Sequence, residues 1–374
     1  MRHWLTAVSC LATLTAPTAV AQTPYFPPPG DAWERQEPRA AGFDPARLQE
    51  AIDFALANPA PVPPTFAAPL AGEPYPDILG PVKAWAPSGL ILRHGRIIAE
   101  WGDTRRVDVT FSVAKSYLST VAGLAFDRGL IPDLDRPVRE LVQDGGFDSD
   151  HNRPITWRHL LTQTSEWEGT LWGKPDVADR RLGYNRTLNA PGTTWEYNDV
   201  RVNRLALSLL RVWQRPLPDV LRELVMEPIG ASDSWNWYGY YNAYVEIGGR
   251  YVQSVSGGTH WGGGIWMATR DHARLGYLML RRGNWAGRQV LSERWLAMAL
   301  APTPIRQDYG FLWWLNTNRQ RYPNAPATSY FALGSGGNMI WVDPALDLVV
   351  VTRWIQPARL NDFIGKVAGA WTGS

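Results

Sequence analysis

Apolar runs of β type stand near both ends of this 374-residue chain, and they restrict its fold more than any other feature. "GLILRHGRIIAEW" (89–101) is two such runs joined at His94-Gly95. "NMIWVDPALDLVVVTRW" (338–354) is two more around an Asp-Pro turn. Each reads as a hairpin. The chain between them is mostly helices and loops, so sheet strands from the two ends must meet around a helical insertion. The expectation is an α/β fold in which a discontinuous sheet part carries a helical part.

Helical spacing marks the pieces. "DPARLQEAIDFALAN" (44–58) has Asp44 as cap and Pro45 in the first turn. From Ser112 to Gly129 apolar or small residues recur every three or four positions, which predicts a buried helix ending at the glycine. Further helical patterns lie at 157–165, 202–213, 269–282 and 358–370. Pro24 to Gly30 and Pro59 to Pro76 read as loops.

The N-terminus reads as an address. Arg2 precedes an apolar run from Leu5 to Val20 that ends in Ala19-Val20-Ala21, the small-x-small pattern of a cleavage site. Residues 1–21 are therefore expected to be a signal peptide, which places the mature protein in the periplasm or outside the cell. No later stretch has the length of a transmembrane anchor. Cys10, the one cysteine, would leave with the signal, which removes disulfides and thiolate chemistry from the mature chain. A formal charge of +2 without a basic run gives no footprint for nucleic acid.

Most catalytic signatures are missing. There is no G-x-S-x-G, H-E-x-x-H, P-loop or strand-linked G-x-G-x-x-G, and the 6 histidines show no ligand spacing, so neither a metal nor a cofactor is expected. What remains is "TFSVAKSYLST" (110–120), where Ser112 precedes Lys115 by three. On a helix that spacing puts the hydroxyl and the ammonium on one face, within reach of each other. The helix N-terminus adds unpaired N–H groups that can stabilise an oxyanion. A cap serine beside a lysine that snorkels to solvent has the same pattern, and chance supplies S-x-x-K about one time in five at this composition.

Two more stretches follow in order: "PGTTWEYNDVRVN" (191–203) and the glycine-rich "YFALGSGGNMIWVDP" (330–344). S-x-x-K, then Pro-Gly-Thr with a tyrosine four residues on, then a glycine-rich strand, resembles the superfamily of class C β-lactamases, DD-peptidases, family VIII carboxylesterases and 6-aminohexanoate-dimer hydrolases. The resemblance runs from about residue 35 to the C-terminus. "DRPVRELVQD" (135–144), "ITWRHLLTQTS" (155–165), "GGGIWMATRDHARLGYLMLRRG" (262–283) and "VDPALDLVVV" (342–351) are similar to family segments. It implies a β-lactamase/transpeptidase-like fold, an antiparallel sheet flanked by helices with a helical insertion. One catalytic domain would span 22–374, its α/β part about 35–111 and 255–374 and its helical part about 112–254.

Carried over by position, the resemblance implies Ser112 as acylated nucleophile, Lys115 as base or proton relay, and Tyr197 as the tyrosine that exchanges a proton with the leaving group. The N–H of Ser112 and the strand near Ser335 and Gly336 would hold the oxyanion. The chain also departs from the pattern. Tyr197-Asn198-Asp199 stands where Tyr-x-Asn is usual, which makes Asp199 or Asn198 the candidate substrate contact. Ser335-Gly336-Gly337 stands where β-lactamases and peptidases carry Lys-Thr-Gly, so the cation that would hold an anionic substrate is missing there. His260, in "SGGTHWGGG" (256–264), is a candidate at the site rim, and Trp172, "LWW" (312–314) and "WNWYGYYNAY" (235–244) are candidate pocket walls. Asp199 and Arg201 are also candidates to pair with each other.

The expectation is an exported serine hydrolase that cleaves a small-molecule carboxylic ester or linear amide through an acyl-enzyme on Ser112. A β-lactamase or D-alanyl peptidase is the alternative, and a non-catalytic cell-wall-binding protein of the same fold is the alternative of another class.

Overall fold

The computed structural model describes residues 24–61, 85–258 and 262–373. The expected signal segment, most of the second proline-rich stretch and His260 lie outside the described residues.

A six-stranded antiparallel sheet forms the centre. β1 (Ser88–Arg93) and β2 (Arg96–Trp101) are the first hairpin. Its turn residues His94 and Gly95 both have positive φ, 50° and 84°, as two-residue hairpin turns favour. β3 (Trp314–Leu315), β4 (Tyr330–Gly334), β5 (Asn338–Asp343) and β6 (Leu348–Arg353) come from the C-terminal part. The order is β3-β4-β5-β6-β1-β2, so the early hairpin closes against the last strand. Ser88 lies opposite Arg353 and Arg93 opposite Leu348.

Helices cover both faces: α1 (Pro45–Ala57), α2 (Ala114–Asp127), α3 (Asp199–Trp213), α4 (Thr269–Leu280) and α5 (Leu360–Gly369). Because strand side chains alternate between faces, Leu90, Leu92, Ile340, Val342, Val349 and Val351 join the core that contains α2, α3 and α4. Ile91, Met339, Trp341 and Val350 pack with α1 and α5 on the other side. Burial on both faces is why these strands read as unbroken apolar runs rather than alternating ones. Each such Val or Leu contributes roughly 1.5–3 kcal/mol on removal from water. Gly276 lets α4 lie close on the sheet, since a Cβ there would come within 2.7 Å of Val349 and 2.8 Å of Ile340.

Two features differ from the sequence expectation. The stretch between the sheet halves also holds a hairpin, Tyr244–Ile247 with Arg250–Gln253, turned by Gly248 and Gly249 at positive φ. The α-helix predicted from Ser112 starts at Ala114, and Ser112 sits in a 3₁₀ turn over Phe111–Val113. The start is thus two residues late, and Phe111, just before the serine, has φ 51°, outside the helical region.

Candidate active site

Ser112 is held from two sides. Before it, Asp108–Val109 pairs with Ile265–Met267, and Thr110 N–H donates to Ile265 O at 2.9 Å. Arg353, at the end of β6, ion-pairs with Asp108 and donates to Met267 O at 2.9 Å and Val109 O at 2.8 Å, which ties this short strand to the central sheet. Phe111 packs edge-on against Trp354, ring centroids 5.9 Å apart. The end of β4 lies against the turn: a Cβ on Gly334 would stand 2.3 Å from Thr110 O and 3.2 Å from Ser112 N. Only a residue without a side chain fits there.

Lys115 follows one turn later on α2 and is 2 % exposed. Its Nζ donates to Ser112 Oγ and to Gly257 O, both at 2.9 Å. Asp199 Oδ1 stands 2.7 Å away as an ion-pair partner rather than a well-angled hydrogen-bond acceptor. The Asp199 N–H in turn donates to Asp179 Oδ2 at 2.5 Å. Burial first, and then the Asp199 charge, raise the Asp179 carboxyl well above the ordinary carboxylate range. Tyr197 completes the group: it lines the same cavity as Ser112, and Lys115 Nζ lies 5.0 Å from its ring centre. Burial, reinforced by the Asp199 charge, pushes the Tyr197 hydroxyl far above its usual value. At neutral pH Tyr197 is therefore a phenol that can give a proton.

The segment that carries Tyr197 is fixed by buried charges. Glu166 receives Arg186 at 2.6 Å and Arg201 at 2.9 Å, and Glu196 receives Arg186 at 2.7 Å and Arg201 at 3.2 Å. Arg201 also reaches Asp176 at 3.4 Å. Burial works against the Glu166 charge, but the Arg186 hydrogen bonds and the Arg201 field lower its pKa to about 2. Two backbone links seat Tyr197 between its neighbours: Glu196 N–H to Gln163 O at 3.0 Å, and Asn198 N–H to Gln163 Oε1 at 2.8 Å.

A cavity of about 390 Å³ opens over Ser112. Tyr197, Asp199, Trp314, Gly334 and Ser335 line it, together with two guanidiniums, Arg181 and Arg321. Ser112, Lys115, Tyr197 and Asp199 thus come together, and Ser335 faces them across the cavity. Asn198 does not join them. Its side chain caps α3 by accepting from Arg201 N–H at 3.1 Å and donates to Asp176 O at 2.9 Å, which spends the amide on structure. Gly336 is a buried turn residue with φ 74° under the Trp354 ring, not part of the cavity wall. The pairing of Asp199 with Arg201 is replaced by Asp199 with Lys115 and Arg201 with three acids. Among the candidate walls Trp314 serves this cavity, whereas Trp313 is core. Tyr238, Tyr241 and Tyr244 border a different hollow, and so does Trp172.

Sequence reasoning missed Asp179, Arg181, Arg321 and Gly334 as members of the site. Only Gly334 carried a signal, as the first glycine of the quoted run. Among the described residues, no group of acids and histidines is placed to hold a metal ion, and no helix is long and apolar enough to cross a membrane.

Comparison with known proteins identifies the family and the fold. The model of the Beta-lactamase family matches residues 91–354. The 6-aminohexanoate-dimer hydrolase of Paenarthrobacter ureafaciens is 24 % identical over 309 residues, 72 % of each chain. Among solved structures, a putative β-lactamase from Bacteroides dorei superposes with TM-score 0.60 at 15 % identity, covering 87 % of this chain and 99 % of its own. EstCE1, described as a hydrolase with promiscuous acyltransferase activity, superposes with TM-score 0.58 at 17 % identity, covering 88 % and 97 %.

Proposed function

The chain belongs to the beta-lactamase family of serine hydrolases, and from that premise we propose that it cleaves a carboxylic ester or linear amide through an acyl-enzyme on Ser112. The observation that carries the reading is the contact of Lys115 Nζ with Ser112 Oγ at 2.9 Å, with Tyr197 lining the same cavity.

The chemistry divides into two acyl transfers. Ser112 Oγ attacks the carbonyl carbon while its proton passes to the Lys115 nitrogen that contacts it. The developing oxyanion is met by the Ser112 N–H and by the strand end at Gly334–Ser335, donors fixed before the reaction begins. As the tetrahedral centre collapses, the bond to the leaving oxygen or nitrogen breaks and Tyr197 supplies the proton, which Lys115 then restores. Water attacks the acyl-Ser112 ester by the same route in reverse, releasing the acid and returning the proton to Ser112. The preference for esters and linear amides draws support from the serine at 335, where a β-lactamase has its cation. The names of the similar hydrolases support it as well.

A fluorophosphonate probe tests this. Labelling of the wild type that disappears in Ser112→Ala is expected, and labelling that never occurs or survives in the variant refutes it. We also propose export, on the N-terminal segment ending at Ala21. N-terminal sequencing of the protein recovered from the periplasm or medium should begin at Gln22.

A further inference from the structure

Lys115 Nζ has three polar neighbours: Ser112 Oγ and Gly257 O at 2.9 Å, and Asp199 Oδ1 at 2.7 Å. Gly257 is a backbone group from a stretch distant in sequence from the lysine, and something must fix it. Gly257 and Gly258 form a short strand against Gly262 and Gly263, in which Gly257 lies opposite Gly263. The N–H and C=O of one strand residue point to the same side. Those of Gly257 point at the helices, because its N–H donates to Asn203 Oδ1 at 3.2 Å while its C=O receives Lys115. Asn203 thus holds the residue whose carbonyl holds the lysine.

Asn203 stands four residues beyond Asp199 on α3, so the two side chains share one face of the helix. One helix therefore governs two of the three contacts to Nζ, one directly and one through Gly257. For the helix alone an asparagine is a poor choice. Its helix propensity is below that of leucine or alanine, it is 2 % exposed here, and Val202, Leu205, Ala206 and Leu209 along the same helix are core. A buried amide costs stability unless hydrogen bonds replace its water. The Asn203 oxygen is spent on Gly257. Asn203 is not on the wall of the cavity over Ser112, so any effect it has on the reaction passes through Lys115.

We propose that Asn203 is a positioning residue for the acyl transfer: by orienting Gly257 it sets where Lys115 Nζ stands relative to Ser112 Oγ. The inference rests on the proposed acyl-enzyme reading and adds to it a residue that does not touch the substrate. When Gly257 O turns away, Asp199 is the remaining partner that competes with Ser112 for Nζ, and the nitrogen is drawn off the oxygen it must reach. A misplacement of about 1 Å between groups that must meet costs up to about 10²-fold in rate.

Asn203→Ala and Asn203→Asp test it, with 4-nitrophenyl butyrate as substrate and a fluorophosphonate as label. Asn203→Ala removes the acceptor and should lower kcat by roughly 10–100-fold with KM within about threefold, and slow the labelling of Ser112 in the same proportion. Asn203→Asp keeps an oxygen for the Gly257 N–H and should stay within about threefold of the wild type in both rates. Thermal melts place each assay well below the transition of the protein measured. A residue that only supported the fold would lower the melting temperature and leave kcat and the labelling rate of the folded protein unchanged. That result for Asn203→Ala overturns the proposal. So does an Asn203→Asp protein that melts like the wild type yet is as slow as Asn203→Ala. If Asn203→Ala does not fold, a loss of about tenfold or more in Asn203→Asp overturns the proposal and retained rates support it. Labelling of the wild type separates the two readings. With Ser112 labelled and Asn203→Ala unimpaired, this inference alone fails. With no labelling, the acyl-enzyme reading fails as well.

Discussion

The ammonium of Lys115 stands 2.7 Å from the carboxylate of Asp199, at a position where the family pattern has an amide. The carboxylate holds the amine that contacts Ser112 Oγ, so it helps fix where the proton acceptor stands. Asp199→Ala removes that hold and should lower kcat/KM by roughly 10–100-fold, the scale of displacing a group that must meet the reacting atom. An unchanged kcat/KM would show that Asp199 does not position Lys115.

Tyr197 is positioned as a donor, because burial and the Asp199 charge keep its hydroxyl protonated. Tyr197→Phe removes that proton source and should cost roughly 10²-fold in kcat for an alkyl ester or linear amide, whose leaving groups need protonation. A 4-nitrophenyl ester leaves as a stable anion and should lose far less. Equal losses for both substrates would argue that Tyr197 acts on Ser112 rather than on the leaving group.

Gly334, at the end of β4, lies against the nucleophile turn. A methyl at this position would meet Thr110 O at 2.3 Å, so β4 and the Ser112 turn must separate. Gly334→Ala is expected to lower kcat by roughly 10²-fold, the scale of losing one oxyanion donor. The fold should survive, since the clash lies at a strand end. A variant with wild-type kcat would remove the strand end from the oxyanion site.

Local signals were legible where one residue type has one use. Asp44 with Pro45 predicted the start of α1, and Asp44 Oδ1 does accept from Ala46 N–H at 2.8 Å. His94-Gly95 and Asp343-Pro344 marked turns that the sheet contains. The spacing of Ser112 and Lys115 predicted a contact that is present at 2.9 Å. What escaped sequence reading is held together by long-range geometry. Arg321 follows Ser112 by more than half the chain and meets its cavity beside Trp314, on whose ring it stacks. Asp179 stands on a 3₁₀ turn with no periodicity to mark it, and Asn198 reads as a substrate ligand until the cap it makes on α3 is seen. In a chain with this many arginines, which acid each one meets is a property of packing. Arg201 accordingly faces Glu166, Asp176 and Glu196 rather than the nearby Asp199.

That arginine network also sets an acid limit on stability. Glu166 is fully buried, and its pKa is lowered from 4.5 to about 2, with Arg186 and Arg201 outweighing the burial that opposes its charge. A carboxylate whose pKa is lower folded than unfolded contributes its stabilisation above the unfolded value and loses it as pH falls through the folded one. Here that window runs from about 4.5 down to about 2. Glu166→Gln leaves Arg186 and Arg201 short of a partner and should cost roughly 3–5 kcal/mol at pH 7 in urea unfolding. The gap between variant and wild type should narrow as the measurement is repeated from pH 5 toward pH 3, because the wild type is losing what the variant never had. A gap independent of pH would mean that Glu166 stabilises through shape and hydrogen bonding, and that its charge contributes nothing to the segment that holds Tyr197.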